Sequence, residues 1–132
     1  MRVLILEDDQ NRVNTFVREL KNVDRDITAS SKIAINLVKK VKYDVIFLDH
    51  DLGIVPETGE KTNDVYLISG EYTGYEVAQA IPQSINKDTF VVIHSYNRVG
   101  AEKMQSVLDK CDYAPFGGPS FNKYIEKIKN AE

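Results

Sequence analysis

Residues 43–51 read YDVIFLDHD, and this stretch decides the fold. Tyr43 to Leu48 is a short strand-like stretch, apolar from Val45 onward and rich in β-branched and aromatic side chains, that stops abruptly at acid. Such a run predicts a strand buried on both faces, as the interior of a parallel sheet demands. Two other stretches have the same form. RVLILEDD at 2–9 places a strand at Val3 to Leu6 and runs into Glu7-Asp8-Asp9. Thr89 to Ile93 is a further strand and runs into His94-Ser95-Tyr96-Asn97.

Helical spacing fills the intervals. Val13, Phe16, Val17, Leu20 and Val23 form one stripe, and Ala34, Leu37, Val38 and Val41 a second, capped by Ser30 or Ser31. Thr73 and Glu76 make a capping box before Val77, Ala80 and Ile81, and Pro82 ends that helix. Gly100 to Lys110 predicts a helix with Ala101, Met104, Val107 and Leu108 inward. Ser120 is expected to cap a last helix carrying Phe121, Tyr124, Ile125 and Ile128. Short strands are expected at Ile27 to Ala29 and at Cys111 to Ala114.

Five β-α units in series imply an α/β fold: a single doubly wound five-stranded parallel sheet of order 2-1-3-4-5. One domain is expected over residues 1–132, with a long connection at 53–73 after the third strand. Gly53, Pro56, Gly59, Asn63 and Gly70 punctuate that connection, and Val65 to Ile68 reads as a small strand or hairpin arm inside it.

Composition narrows the function. Seventeen basic and 20 acidic side chains give a net charge of −3, which argues against an extended nucleic-acid surface. No apolar run approaches the roughly 18 residues of a membrane span. The amino terminus reads as a strand rather than a secretory signal. The lone cysteine, Cys111, reads as a small buried apolar group, and a chain without a cysteine pair is expected in a reducing cytoplasm.

In the order 2-1-3-4-5 the first, third and fourth strand ends are neighbours, at the crevice where such sheets bind ligands. Glu7, Asp8, Asp9, Asp49 and Asp51 fall there, with both histidines of the chain, His50 and His94. Crowded carboxylates take up protons or a cation, and hard oxygen ligands suit Mg2+ or Mn2+. A cation held so normally recruits a phosphate oxygen. The plainer reading is that Asp8 or Asp9 only caps the next helix and Ser95 only bonds locally.

RVLILEDD at 2–9, YDVIFLD at 43–49, VVIHS at 91–95 and DYAPF at 112–116 resemble the receiver domain of two-component response regulators, a flavodoxin-like fold, over nearly the whole chain. The resemblance implies that Glu7, Asp8 and Asp49 bind the metal, that Asp49 sits at the phosphoacceptor position, and that Ser95 contacts the phosphoryl group. Two features depart from that pattern. Ala114 stands where receivers carry a lysine before a proline, with Lys123 too far along to replace it. The connection at 53–73 is also much longer than a receiver needs. LDHDLG at 48–53, TGYEVA at 73–78 and IHSYNRVGAEKM at 93–104 resemble an offshoot, the cyclic-phosphate-processing receiver family, which implies action on cyclic phosphate esters in nucleotide or ADP-ribose metabolism.

The first functional expectation is therefore a metal-dependent phosphoesterase acting on a phosphorylated small molecule or RNA end. Glu7, Asp8 and Asp49 would hold Mg2+ or Mn2+. His94 is assigned as base and His50 as acid, with Asp51 orienting His50. Ser95, Asn97, Arg98 and Arg12 would bind substrate, the Gly100 helix start would offer amides to an anion, and Tyr66, Tyr72, Tyr75 or Tyr96 could stack on a base. The alternatives are a receiver phosphorylated on Asp49 by a histidine kinase, and a non-catalytic interaction module.

Overall fold

Alternation along three central strands sorts the core into two layers. Leu4 and Leu6, Ile46 and Leu48, and Val91 and Ile93 pack on one side of the sheet with Ala34, Val38, Val77, Ala101 and Met104. Val3 and Ile5, Phe47 and Val92 pack on the other with Phe16, Leu20, Phe121, Ile125 and Ile128. Successive strand residues point to opposite faces, so a strand apolar at every position needs helices on both.

The computed structural model describes residues 1–52 and 73–131. The strands are β1 (Arg2–Leu6), β2 (Asp24–Thr28), β3 (Val45–Leu48), β4 (Phe90–Ile93) and β5 (Cys111–Tyr113). Among the described residues the helices are α1 (Gln10–Glu19), α2 (Ser31–Lys40), α3 (Gly74–Ala80), α4 (Arg98–Gln105) and α5 (Pro119–Asn130), with a 3-10 turn at Ile81–Gln83. Among the described residues all four strand pairings are parallel, and the sheet order is β2-β1-β3-β4-β5, as the repeated β-α rhythm predicts. The expected connection at 53–73, apart from Thr73, and the strand or hairpin arm at Val65 to Ile68 lie outside the described residues.

Caps fix most helix starts. Asp9 accepts the Arg12 amide and Ser30 accepts the Ile33 amide. Thr73 accepts the Tyr75 amide and contacts Glu76 through its hydroxyl, and α3 gives way at Ala80 just before Pro82. Several boundaries differ from expectation: the third strand starts at Val45 rather than Tyr43, the fourth helix ends at Gln105 rather than Lys110, and three further shifts have a plain physical reason. The second strand is Asp24–Thr28, not Ile27 to Ala29; it is an edge strand with one neighbour, so charged residues are tolerated and apolar pattern does not mark it. The fourth helix begins at Arg98 rather than Gly100 because Asn97 caps it. The last helix begins at Pro119 with Gly118 at the cap, not Ser120, since proline's missing N–H is harmless in a first turn.

One buried amide ties the sheet to the α2 layer. Asn86 is fully enclosed; its Nδ2 donates to the carbonyls of Val38 and Val41 at 2.7 Å, and its Oδ1 accepts the Tyr43 amide at 2.8 Å. Truncation strands three backbone groups at once, two of them buried. Asn86→Ala is expected to cost about 3 kcal/mol, read as a lower urea midpoint with an unchanged slope.

Candidate phosphate and metal cleft

The cleft is built by carrying the parallel ladder one residue past the strands. Leu6 pairs with Leu48, and Leu48 with Ile93. The next amides still obey the ladder: Glu7 N–H donates to Thr28 O at 3.0 Å, Asp49 N–H to Leu6 O at 3.2 Å and His94 N–H to Leu48 O at 3.0 Å. Glu7, Asp49 and His94 therefore stand in one row on one face. Each offers a ligand atom, and these atoms lie within 4.8 Å of one another.

Both carboxylates are buried, Glu7 at 1% and Asp49 at 4% exposure. Glu7 Oε2 accepts the amides of Asp8 and Asp9, each at 3.0 Å, and Asp49 Oδ1 accepts the His50 amide at 2.8 Å. Burial pushes the Glu7 carboxyl up, against the pull of those amides and of Arg12. Burial also raises Asp49 to about 6, with the Glu7 charge adding to the rise. Arg12 Nη1 stands 3.7 Å from Glu7 Oε1 and 4.0 Å from Asp49 Oδ2.

His94, the third member of this row, is fully enclosed. Its Nε2 meets Glu7 Oε1 at 2.8 Å. The rings of Phe16, Phe47, Phe116 and Phe121 surround it, with centroids 5.4 to 6.3 Å away. Two amides on Oε2 favour the carboxylate form of Glu7, which makes Nε2 the donor. Nδ1 is then the one buried side-chain polar atom among the described residues without a partner. Burial holds the imidazole down at about 4, so it is neutral at pH 7. Enclosed in this way, His94 orients Glu7 and does not touch the cleft.

His50 takes the opposite parity and meets α4 instead. Its Nδ1 contacts Asp51 Oδ1 at 2.8 Å and lies 3.4 Å from Asn97 Nδ2. β3 has already ended at Leu48, which frees His50 and Asp51 to turn toward each other. Burial pushes the Asp51 carboxyl up, but hydrogen bonds from His50 and Asn97 outweigh it and the net direction is down. Asn97 is committed at both ends: Nδ2 donates to Asp51 at 3.1 Å, and Oδ1 accepts the Gly100 amide at 2.9 Å. The Gly100 amide expected to await an anion is thus already bonded. Gly100 itself is required by the imidazole, since a Cβ there would stand 2.4–2.6 Å from atoms of the His50 ring. Gly74 is equally tight against the Asp49 carbonyl.

The cleft, about 240 Å³, is lined by Glu7, Asp8, Asp9, Arg12, Asp49, Asp51, Ser95 and Tyr96. Ser95 accepts the Asn97 amide at 3.0 Å, which leaves its O–H to donate. Arg98 is exposed on the first turn of α4 and does not line the cleft. Ala114 is buried and brings no charge. Tyr96 is exposed and carries the Arg12 guanidinium over its ring at 4.3 Å; Tyr66 and Tyr72 lie outside the described residues. Phe16, Phe47 and Phe121 each carry an ordinary core signal in the sequence, and only their packing turns them into an aromatic cage around His94.

A family model described as cyclic-phosphate processing receiver domain matches residues 2–110. Among solved structures, the chain is similar to a CheY-like response regulator receiver domain protein of Methanospirillum hungatei, at 12% identity and TM-score 0.67, covering 98% of this chain and 94% of that one. It is also similar to the receiver domain of a sensor histidine kinase of Pseudomonas aeruginosa with a magnesium ion coordinated in its active site cleft, at 15% identity and TM-score 0.65, covering 98% and 97%. A third is a response regulator of Thermotoga maritima in complex with Mg2+ and BeF, at 18% identity and TM-score 0.65, covering 96% and 97%. At these identities the likeness establishes the receiver fold. No curated protein matches the sequence.

The elevated Asp49 value fixes a pH dependence. The folded protein holds this proton more tightly than the unfolded chain, whose carboxyl titrates near 3.8. That stabilisation is complete below about 3.8 and is lost as pH rises through about 6. Asp49→Asn, without added divalent metal, is expected to raise stability near pH 7.5 by about 2 to 3 kcal/mol. The gain should vanish near pH 4; urea titrations at both pH values check it.

Proposed function

The chain belongs to the cyclic-phosphate processing receiver domain family, and we propose that it is a metal-dependent phosphoesterase that opens a cyclic phosphate ester of the nucleotide or ADP-ribose type. The observation that carries this reading is the His50–Asp51 pair, locked by Asn97 and Gly100 beside a buried carboxylate row. A bare phosphoacceptor has no use for an imidazole held so closely.

The donor set fits a hard divalent cation. Glu7 and Asp49 are buried and strained toward protonation, Asp8 lines the same cleft, and the nearest guanidinium stays 3.7 Å away. Glu7, Asp8 and Asp49 would hold Mg2+ or Mn2+. When bound, the cation neutralises charge that builds on the phosphoryl oxygens.

The remaining work falls to the chain. Asp51 occupies His50 Nδ1, so proton exchange with the substrate falls to Nε2. As water attacks phosphorus, His50 accepts its proton and returns one to the oxygen leaving the broken ring ester bond. Asp51 stabilises the imidazolium formed between those events. The Ser95 hydroxyl donates to a phosphoryl oxygen. His94 keeps Glu7 in place from below. At about 240 Å³ the cleft is smaller than pockets that bury whole drug-sized ligands, roughly 300–1,000 Å³. It suits a phosphate and its ester ring, with the rest of the substrate over the rim.

A panel of cyclic phosphates followed by phosphorus NMR, with Mn2+ or Mg2+ and with chelator, tests the reading. Metal-dependent ring opening is expected. His50→Ala and Asp49→Asn should each reduce it by about 100-fold or more. Gly100→Ala should lower kcat while leaving Mn2+ affinity unchanged, because it moves only the imidazole. A rate no faster than buffer across the panel overturns the proposal, and a phosphoryl adduct on Asp49 after acetyl phosphate treatment would favour the phosphoacceptor alternative in its place.

A further inference from the structure

We propose that Arg12 is the phosphate-gripping residue of the cleft, held clear of the carboxylates by an aromatic clamp of Tyr96 and Phe116. The inference rests on the phosphoester reading above and assigns its anion-binding group.

Among the described residues that line the cleft, Arg12 is the only basic one. It projects from the first turn of α1, next to the Asp9 cap. Its guanidinium carbon lies 4.3 Å from the centre of the Tyr96 ring and 5.2 Å from that of Phe116. The Tyr96 hydroxyl donates to the Phe116 carbonyl at 2.7 Å, which joins the two rings into one support. Guanidinium over an aromatic face is attracted by the ring quadrupole and held by dispersion.

The distances on the acidic side separate two roles. An arginine whose task is to neutralise buried carboxylates closes on them with paired hydrogen bonds of about 2.7–2.9 Å. Here Nη1 stops 3.7 Å from Glu7 Oε1 and 4.0 Å from Asp49 Oδ2. Among the described residues no acceptor takes a hydrogen bond from the guanidinium. The side chain is 20% exposed, so the cation is partly desolvated yet reachable. A planar fork with donors to spare, at the mouth of a cleft that would also hold a cation, matches the two non-bridging oxygens of a phosphate ester. Tyr96 and Phe116 are positioning residues: they keep the fork from collapsing onto Glu7 and Asp49.

This arrangement makes metal and phosphate respond in different directions. Mn2+ is titrated by electron paramagnetic resonance into wild type, Arg12→Ala, Arg12→Lys and Tyr96→Leu. Inorganic phosphate is then titrated by calorimetry at saturating Mn2+. Arg12→Ala should weaken phosphate by about tenfold or more and tighten Mn2+ by about fivefold, since a positive charge beside the carboxylates is gone. Arg12→Lys should restore wild-type Mn2+ affinity but only part of the phosphate affinity, because an ammonium has no fork. Tyr96→Leu keeps the charge and frees the guanidinium to close on the carboxylates, so both phosphate and Mn2+ should weaken. Phosphate affinity of Arg12→Ala within about twofold of wild type, phosphate and Mn2+ falling together in that variant, or no phosphate binding by wild type would each overturn the assignment. Wild type that binds phosphate through Arg12 but opens no cyclic ester would sink the phosphoesterase reading alone.

Discussion

The structure depends on the register of a parallel ladder that outlasts its strands. Leu6, Leu48 and Ile93 are aligned across β1, β3 and β4, and the amides of Glu7, Asp49 and His94 continue the same hydrogen-bond pattern. Parallel strands all end at the same edge of the sheet. Two carboxylates and an imidazole are thereby forced into one row. Nothing about their mutual attraction produces this; the two acids repel each other, and the sheet overrides the repulsion.

Strand parity then divides the two histidines. Glu7, Asp49 and His94 share the face of Phe47 and Val92, so His94 enters the aromatic layer between α1 and α5. His50 follows Asp49 by one residue and takes the other face, where Asn97 and Gly100 of the α4 start receive it. Two residues with the same chemistry thus acquire different work. One is dry, neutral and bonded to Glu7. The other keeps a carboxylate partner, Asp51, which lines the cleft.

Charge balance is the third consequence. Burial disfavours the ionised forms of Glu7 and Asp49, and Arg12 stands near both without closing on either. The cleft is thus short of positive charge at neutral pH. A receiver fold with Ala114 at the end of β5 supplies no cation from that strand. Among the described residues the nearest one comes from α1, stacked on Tyr96 and Phe116.

Much of this was legible in the residues. Continuous apolar runs at Val3 to Leu6, Val45 to Leu48 and Phe90 to Ile93 specify strands buried on both faces, and their alternation with helical stripes specifies the sheet order. The acids and histidines that follow those runs had to gather at one edge. Edge strand β2 was misplaced because a strand with one neighbour need not be apolar, and the helix starts at Arg98 and Pro119 were set by Asn97 and Gly118 caps that local pattern underweights. Tertiary structure alone decided how the side chains were used. Asn97, expected to face substrate, is spent on Asp51 and the Gly100 amide, and the distance of Arg12 from Glu7 is set by rings distant in sequence. The physical reason is that strand order follows from periodicity within the chain, whereas burial and hydrogen-bond partnership are properties of contacts between segments far apart along it.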